Sequence, residues 1–178
     1  MSERPTELAF IALGSNIKPE YHLPEATKHL RSLWHMEAVS FAYRSTPIGE
    51  REQPDFLNAA VLISVNEEPE GLRTKLREIE ISLGRVRTED KYAARTIDLD
   101  LVLLGDRVDP KFPLPDPDIL TRAHLAIPLA ELDAEFCNPT THEALGTIAN
   151  RFRSDVLRAN KDVSQQLTFI LEQADSLE

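Results

Sequence analysis

The segment over residues 95–105, RTIDLDLVLLG, is the part of this sequence that most constrains the fold. Its side chains alternate with the period of two that is typical of a β-strand. The alternation divides the segment into two faces: Ile97, Leu99, Leu101 and Leu103 on one, and Asp98, Asp100, Val102 and Leu104 on the other. Such a strand is apolar enough to lie inside the molecule, yet one of its faces begins with two carboxylates. We therefore predict that the rest of the chain packs around this strand.

Asp98 and Asp100 form the first candidate site. Residues two apart on a strand lie roughly 6.5–7 Å from each other, so both carboxylates can converge on hard cations. Mg²⁺ prefers oxygen ligands and usually shares them with phosphates, whereas without a cation the two like charges would repel each other. The alternative is a solvated strand end at which one aspartate caps a turn. The basic segment that precedes the strand favours the metal-binding interpretation.

A basic loop over residues 84–95 leads directly into this strand, and its cations are Arg85, Arg87, Lys91 and Arg95. The planar fork of arginine binds phosphate oxygens through paired hydrogen bonds. A mobile loop with such groups could close over a triphosphate and offset the charge that develops during transfer. The alternative is a surface loop with scattered salt bridges. The position of the loop, immediately before the paired aspartates, favours phosphate binding.

A second long loop covers residues 44–55 and is followed by Phe56 and Asn58. Loops of this length within a compact domain are usually functional. A side-chain amide such as Asn58 offers both a donor and an acceptor, which suits a ring with an amide-like edge, and Phe56 could stack on that ring. On these residues alone the structural alternative is stronger, because an asparagine near a strand start and a core phenylalanine are both common.

The order of predicted elements indicates an α+β fold. Strands are predicted over 8–13, 37–43 and 56–65, and helices over 24–34, with Pro24 in the first turn, and over 69–83, with Gly84 as the stop. A proline-rich segment follows the aspartate strand, and further helices are predicted over 123–131, 141–152 and 155–174. This succession is typical of the ferredoxin-like split βαβ arrangement, an antiparallel sheet with helices packed on one face. We expect the C-terminal helices to cover an edge or an open flank.

Composition excludes several classes of function. With 178 residues the chain suits one domain, with a core over about 8–150 and a helical extension over about 151–178. A net charge of −10 argues against nucleic-acid and anionic-membrane partners, and it disfavours a ferredoxin-like nucleic-acid-binding module. The single cysteine, Cys137, excludes an internal disulfide and fits a reducing compartment, so we expect a cytoplasmic protein. No zinc-type histidine pair and no P-loop occurs in the sequence.

Four stretches together resemble the 6-hydroxymethyl-7,8-dihydropterin pyrophosphokinase family of the folate pathway. They are FIALGSN over 10–16, YRSTPIGEREQPDFLNAAV over 43–61, EISLGRVR over 80–87 and RTIDLDLVLL over 95–104. The combination of G-R-V-R with R-T-I-D-L-D is far more specific than any single motif above. The resemblance implies an enzyme that moves the terminal pyrophosphoryl group of ATP to the pterin hydroxymethyl group and releases AMP.

The resemblance also implies roles for individual residues. It assigns catalytic roles to Arg85, Arg95, Asp98 and Asp100, of which the two aspartates would hold two Mg²⁺ ions. It implies that ATP, the co-substrate, is bound by Glu80, Arg87, Lys91, Tyr92 and Arg122. It implies that the pterin is bound by Ser45, Thr46, Ile48, Phe56, Asn58 and His124. We expect small-molecule substrates, no nucleic acid or membrane partner, and a monomer or a weak homodimer.

The chain departs from the family pattern at three places. Where the family usually has R-W-G-P-R, residues 91–95 are KYAAR; where a His-Tyr pair often meets ATP, the chain has Asp116-Pro117; and where a second aromatic residue stacks on the pterin, it has His124. An imidazole can still stack, but less strongly. These changes leave two alternatives open: a catalytically weakened homologue that only binds pterin or nucleotide, and a pyrophosphokinase for a modified pterin.

Overall fold

The computed structural model describes residues 4–47, 52–153 and 155–173. Its elements, in chain order, are β1 (Glu7–Ser15), α1 (Pro19–Leu33), β2 (His35–Val39), β3 (Ala42–Ser45), β4 (Phe56–Val65), α2 (Pro69–Ser82), β5 (Asp98–Leu104), a 3₁₀ turn (Pro117–Leu120), α3 (Ala123–Leu132), α4 (Leu145–Ala149), β6 (Arg158–Asn160) and α5 (Lys161–Glu172). None of the helices in these ranges has both the length and the apolar character needed to cross a membrane.

One antiparallel sheet organises the molecule. Its strand order is β5-β1-β4-β3-β6, and β2 pairs with β4 as well. The longest pairing joins β1 to β4, from Glu7 opposite Val65 to Ser15 opposite Leu57. The aspartate strand β5 pairs with β1 at one end of this order. The combination of helices with one antiparallel sheet confirms the predicted α+β, ferredoxin-like fold class.

Helices cover both faces of the sheet. The two helices of the split βαβ unit, α1 and α2, lie on the first face and are joined there by α5; their buried contacts include Leu23, Leu30, Leu72, Leu76 and Leu167. The second face is covered by α3 and α4, with a separate cluster that includes Phe10, Val102, Ala126, Leu129 and Ile148. The C-terminal helices therefore divide between the two faces, and α3 and α4 close the flank that the first two helices leave open.

A β-bulge in β5 changes the predicted alternation. Ile11 of β1 lies opposite Leu101, but Phe10 lies opposite Leu103, so Val102 is an extra residue on β5. Val102 and Leu103 consequently both pack in the cluster on the second face, and the prediction that Leu103 shares a face with Leu101 is wrong. The two aspartates precede the bulge, so they keep the common face that the sequence predicts.

Several predicted boundaries also differ from the structure. α1 begins at Pro19, and Pro24 lies inside the helix rather than in its first turn. The predicted strand over 37–43 is two strands, because the backbone N–H of Ser40 donates to Ala60 (2.9 Å) at the break while its hydroxyl accepts from the Ala60 N–H (2.8 Å). The predicted helix over 141–152 is only the short α4, and the one over 155–174 begins at Lys161 after β6, with position 174 outside the described residues.

Candidate active site

The candidate site lies on the second face of the sheet, beyond the N-terminal end of α3. Gly14 of β1 lies opposite Asp98 on β5 and opposite Asn58 on β4, so the carboxylate and the amide flank it on one face. A Cβ atom at Gly14 would lie 3.3 Å from Oδ1 of Asn58. The absence of a side chain at Gly14 therefore leaves space between these two side chains. This space is part of a first cavity of about 410 Å³.

The first cavity brings together most of the side chains predicted from the sequence. It is lined by Ser45, Thr46, Phe56, Asn58, Lys91, Tyr92, Arg95, Asp98, Asp100, Arg122 and His124, together with Gln53, Asp116 and Asp118, which were not assigned roles. Three predicted residues, Glu80, Arg85 and Arg87, do not line it. Ile48, predicted to contact a pterin, lies outside the described residues.

One end of the first cavity combines an amide with ring-shaped side chains. Ser45 ends β3 opposite Phe56, and its hydroxyl accepts a hydrogen bond from Nδ2 of Asn58 at 2.7 Å. This contact orients the buried amide of Asn58. Burial and the nearby charge of Arg122 lower the pKa of His124 below its usual value, which favours the neutral imidazole. A neutral ring and Phe56 on one cavity suit a planar, uncharged ligand with an amide-like edge.

Asp98 is held by two arginines of the basic loop. Its Oδ1 accepts from Nη1 of Arg85 and its Oδ2 accepts from Nη1 of Arg95. Arg85 also donates to Oε1 of Glu80 at 3.1 Å and to the Ile97 carbonyl at 3.0 Å. Burial by itself lowers the pKa of Arg85, but the hydrogen bond and charge of Asp98 outweigh it and raise the pKa above its ordinary value. Two predicted phosphate-binding arginines thus pair with a predicted metal ligand in this state.

Asp100 lies in a concentration of negative charge. Its side chain keeps contact with the solvent of the site, but protein surrounds the carboxylate on most sides. Burial, followed by the charges of Asp98, Glu80 and Asp116, raises the pKa of Asp100 to about 7. A cation at this position would relieve that repulsion. Within the described ranges no three His, Cys, Asp or Glu side chains are grouped closely enough to hold a metal ion.

A second cavity of about 310 Å³ adjoins the first along the outer side of β5. It is lined by Arg73, Arg77, Arg87, Leu99, Asp100, Leu101, Phe112, Pro113 and Asp116. Asp100 and Asp116 line both cavities, so the two cavities meet at these carboxylates. The Arg73 guanidinium lies 5.1 Å from the centroid of the Phe112 ring. Arg87, predicted to bind ATP, lies here, with its Nη2 3.0 Å from Oε2 of Glu80.

The sequence reasoning missed Arg73 and Arg77. They lie one helical turn apart on α2, ahead of the basic loop, and this spacing on a solvent-facing side of a helix was the available signal. Nothing in the sequence showed that the segment around Phe112 would face them. Asp116, the second departure from the family pattern, lies at the junction of the cavities, where its Oδ1 accepts from the Asp118 N–H at 2.9 Å. Burial raises the pKa of Asp116.

A hydrogen-bond network joins the loop before β4 to the basic loop. The side chain of Asn16, which is 2% exposed, donates from Nδ2 to Oε1 of Gln53 (2.9 Å) and accepts from the backbone N–H of Arg95 (2.7 Å). Gln53 in turn donates to the carbonyl of Tyr92 at 2.8 Å. Residues far apart in the chain therefore fix the relative position of the two loops that border the first cavity.

Comparison with known proteins identifies one group of relatives. The profile of a family described as 7,8-dihydro-6-hydroxymethylpterin-pyrophosphokinase (HPPK) matches residues 10–134. The 2-amino-4-hydroxy-6-hydroxymethyldihydropteridine pyrophosphokinase of Haemophilus influenzae is 34% identical over 138 residues, which is 75% of this chain and 86% of the relative. The protein of the same name from Methylorubrum extorquens is 37% identical over 147 residues, covering 79% and 92% of the two chains.

Solved structures show the same fold. The crystal structure of the Plasmodium falciparum HPPK-DHPS S436F/A437G/A613S triple mutant superimposes with a TM-score of 0.65 at 12% identity, over 84% of this chain and 45% of that chain. This chain therefore spans less than half the length of that solved structure. At this identity the likeness concerns the fold alone.

Proposed function

Since the chain belongs to the 7,8-dihydro-6-hydroxymethylpterin-pyrophosphokinase family and is a pyrophosphokinase of folate biosynthesis, we propose that it uses ATP and Mg²⁺ for this reaction. The pyrophosphoryl group of ATP moves to the hydroxymethyl group of 6-hydroxymethyl-7,8-dihydropterin. The oxygen–phosphorus bond to the pterin forms as the bond to AMP breaks, and the proton of the pterin hydroxyl is released to water. The products are AMP and the pterin diphosphate.

The meeting of two cavities at Asp100 and Asp116 is the observation that best supports this proposal. A transfer between two small molecules needs both of them to lie within reach of one charged centre. The first cavity offers the pterin an oriented amide at Asn58 and rings at Phe56 and His124. The second offers the nucleotide the three arginines of its wall.

ATP would extend from the second cavity toward the aspartates. The backbone N–H of Leu99 donates to Oε1 of Glu80 (2.8 Å) on α2, so the backbone polar groups of Leu99 point away from the neighbouring strand β1. Two residues on, the backbone of Leu101 faces the same way and offers a purine base one donor and one acceptor. Lys91, Tyr92 and Arg122, which line the first cavity beside Arg95, would contact the phosphates that reach across.

The charged residues neutralise and orient the transferred group. Phosphoryl-type transfer depends on position and charge more than on a covalent nucleophile. Arg85 and Arg95, now paired with Asp98, would turn to the phosphates of bound ATP, which frees the Asp98 carboxylate. Asp98 and Asp100 would then hold two Mg²⁺ ions, which would supply positive charge against the phosphate oxygens.

The test is a product assay. The protein is mixed with ATP, Mg²⁺ and 6-hydroxymethyl-7,8-dihydropterin, and the nucleotide products are separated by chromatography. We expect AMP that appears only when the pterin is present and disappears when EDTA removes the metal. Formation of ADP, or no turnover at all, would contradict the proposal.

A second candidate is a homologue that binds pterin or nucleotide without turnover. Asp116 favours it, because this carboxylate adds negative charge at the junction where ATP phosphates must lie. Calorimetry would then show tight binding of both ligands while the product assay shows no AMP. A pyrophosphokinase for a modified pterin is distinguished by AMP that forms only with substituted pterins, since His124 borders the pterin cavity.

The predicted partners and location remain part of the proposal. They comprise a cytoplasmic location, a monomer or weak homodimer, and no nucleic-acid or membrane partner. The net charge of −10 supports the last of these.

A further inference from the structure

The short strand β3 forms one wall of the first cavity. Its last residue, Ser45, and the next residue, Thr46, both line that cavity. Ser45 also holds Asn58 through the 2.7 Å hydrogen bond from Nδ2. The position of β3 therefore determines both the wall itself and the orientation of the amide beside it.

β3 is held in the sheet from two sides. It pairs with β4 from Tyr43 to Ser45, and with β6 through Ala42 opposite Asn160 and Arg44 opposite Arg158. Without β6, β3 would be a four-residue edge strand with one row of unpaired backbone groups. The C-terminal segment thus completes the support of the cavity wall.

Ser164 of α5 makes the direct contact with the start of β3. Its hydroxyl accepts the backbone N–H of Ala42 at 2.9 Å and donates to the carbonyl of Asn160 at 2.6 Å. Ala42 is fully buried and Ser164 is 5% exposed, so water cannot readily replace this acceptor. One hydroxyl therefore links β3 to the last residue of β6.

α5 is itself fixed to the body of the protein. Val163 and Leu167 belong to the same buried cluster as Ala42, and Nη1 of Arg31 on α1 donates to the Ile170 carbonyl at 2.9 Å. The Asn160 side chain caps the helix by accepting from the Val163 N–H at 3.0 Å. All of β6 and α5 lies beyond residue 134, where the family match ends.

We propose that Ser164 is a positioning residue for pterin binding, because it fixes the start of the strand whose far end forms the pterin wall. The inference rests on the proposed function, since it needs the first cavity to bind the pterin. It assigns the C-terminal extension a role in substrate affinity in addition to its role in stability. Ser164 acts through Ala42, Ser45 and Asn58 and does not touch the substrate.

The test compares Ser164→Ala with a matched control, Thr168→Ala. Thr168 lies one turn later on α5, and its hydroxyl bonds only to the Ser164 carbonyl (3.1 Å) in the described contacts, so its loss leaves β3 untouched. Affinities for the pterin and for a non-hydrolysable ATP analogue are measured by calorimetry. We expect Ser164→Ala to raise the pterin Kd about three- to tenfold, the range for loss of one buried hydrogen bond, with the nucleotide Kd within about twofold.

A second measurement separates this inference from the proposed function. Hydrogen exchange of the ligand-free protein should show faster exchange over residues 42–46 in Ser164→Ala and unchanged exchange there in Thr168→Ala. Unchanged exchange at 42–46, or equal losses of pterin and nucleotide affinity, would overturn the inference. If Ser164→Ala exchanges faster over 42–46 but the wild type binds no pterin, the proposed function is overturned. The predicted effect on pterin affinity is then overturned with it. If Ser164→Ala does not fold, Ser164→Cys, whose thiol is a weaker hydrogen-bond acceptor than the hydroxyl, replaces it in both measurements.

Discussion

At the scale of single residues, the site consists of acidic groups that do not stabilise each other. Asp98 has two arginine partners, whereas Asp100 faces the charges of Asp98, Glu80 and Asp116. Such an arrangement is unfavourable for the ligand-free fold and becomes favourable when a cation or a cationic side chain enters. Activity and stability should therefore respond in opposite directions when Asp100 loses its charge.

We expect Asp100→Asn to abolish turnover and to raise the melting temperature. Removing the carboxylate removes a proposed Mg²⁺ ligand, and we expect the loss of such a group to lower kcat by about 100-fold or more. It also removes one charge from the repelling cluster, so the fold becomes more stable at neutral pH. The product assay and thermal unfolding check these two results. The control is Asp106→Asn, an exposed aspartate just after the other end of β5. More than a tenth of wild-type activity in Asp100→Asn would defeat the assigned role.

His124 should make the stability of the fold depend on pH. Its pKa is lowered by burial and by Arg122, so the unfolded chain binds the proton more readily than the folded one. The contribution of the neutral His124 to the stability of the fold is therefore complete above the unfolded pKa of about 6.5. It is lost as the pH falls toward the lower pKa of the folded state. We expect the melting temperature of the wild type to fall more steeply than that of His124→Phe between about pH 7 and about pH 5.

The control for this experiment is His29→Phe, since His29 lies on α1 and lines neither cavity. Its pH dependence should follow that of the wild type. Parallel curves for wild type and His124→Phe would show that His124 does not contribute. The His124→Phe variant also tests the proposed pterin cavity. A phenyl ring stacks better than an imidazole, so the pterin Kd should fall about two- to tenfold.

At the scale of elements, one buried carboxylate on α2 connects three parts of the site. Glu80 is 2% exposed, and it accepts from Arg85 (3.1 Å), Arg87 (3.0 Å) and the N–H of Leu99 (2.8 Å). It thereby joins the end of α2 to the basic loop and to the outer side of β5. The resemblance implied a place for this residue near ATP. In the structure it contacts protein groups, of which Arg87 and Leu99 line the second cavity.

We expect Glu80→Gln to destabilise the protein by about 1–3 kcal/mol. The buried carboxylate that accepts from Arg85, Arg87 and the Leu99 N–H becomes a neutral amide with one oxygen, while Arg85 keeps Asp98 as a counter-charge. Denaturant unfolding measures this change. Glu78→Gln on the same helix is the control, since Glu78 is exposed and should change stability little. Equal effects of the two substitutions would show that the Glu80 contacts do not support α2 and β5.

At the scale of the whole molecule, the two faces of the sheet should unfold together. Leu129 on α3 and Leu167 on α5 are both fully buried but belong to different clusters, one on each face. Because the sheet is common to both clusters, we predict one domain and one cooperative transition for the full chain. Leu129→Ala and Leu167→Ala should each lower the melting temperature of that single transition, by an amount that corresponds to about 2–5 kcal/mol.

Calorimetry of the wild type and both variants checks this prediction. Two separable transitions, each moved by only one of the substitutions, would show that the extension after about residue 150 unfolds independently. The predicted monomer or weak homodimer is measured on the same samples by sedimentation, and it stays a prediction until then.

The sequence by itself determined the secondary elements that follow from local signals, and it identified the family. The period-two pattern at Asp98 and Asp100, the glycine stop at Gly84, which adopts a φ of 89°, and the order of elements all depend on neighbours within a few residues. These signals were sufficient for the fold class. Four stretches together, above all the combination of GRVR with RTIDLD, were sufficient for the family, which the comparisons then showed.

The tertiary structure alone decided which distant side chains converge. The bulge at Val102 depends on the pairing of β5 with β1, and the second cavity depends on α2 and the segment around Phe112 lying on the same side of β5. The contact of Ser164 with Ala42 joins residues 122 positions apart. Such contacts follow from strand order and helix packing, which are settled by burial over the whole chain and leave no local pattern in the sequence.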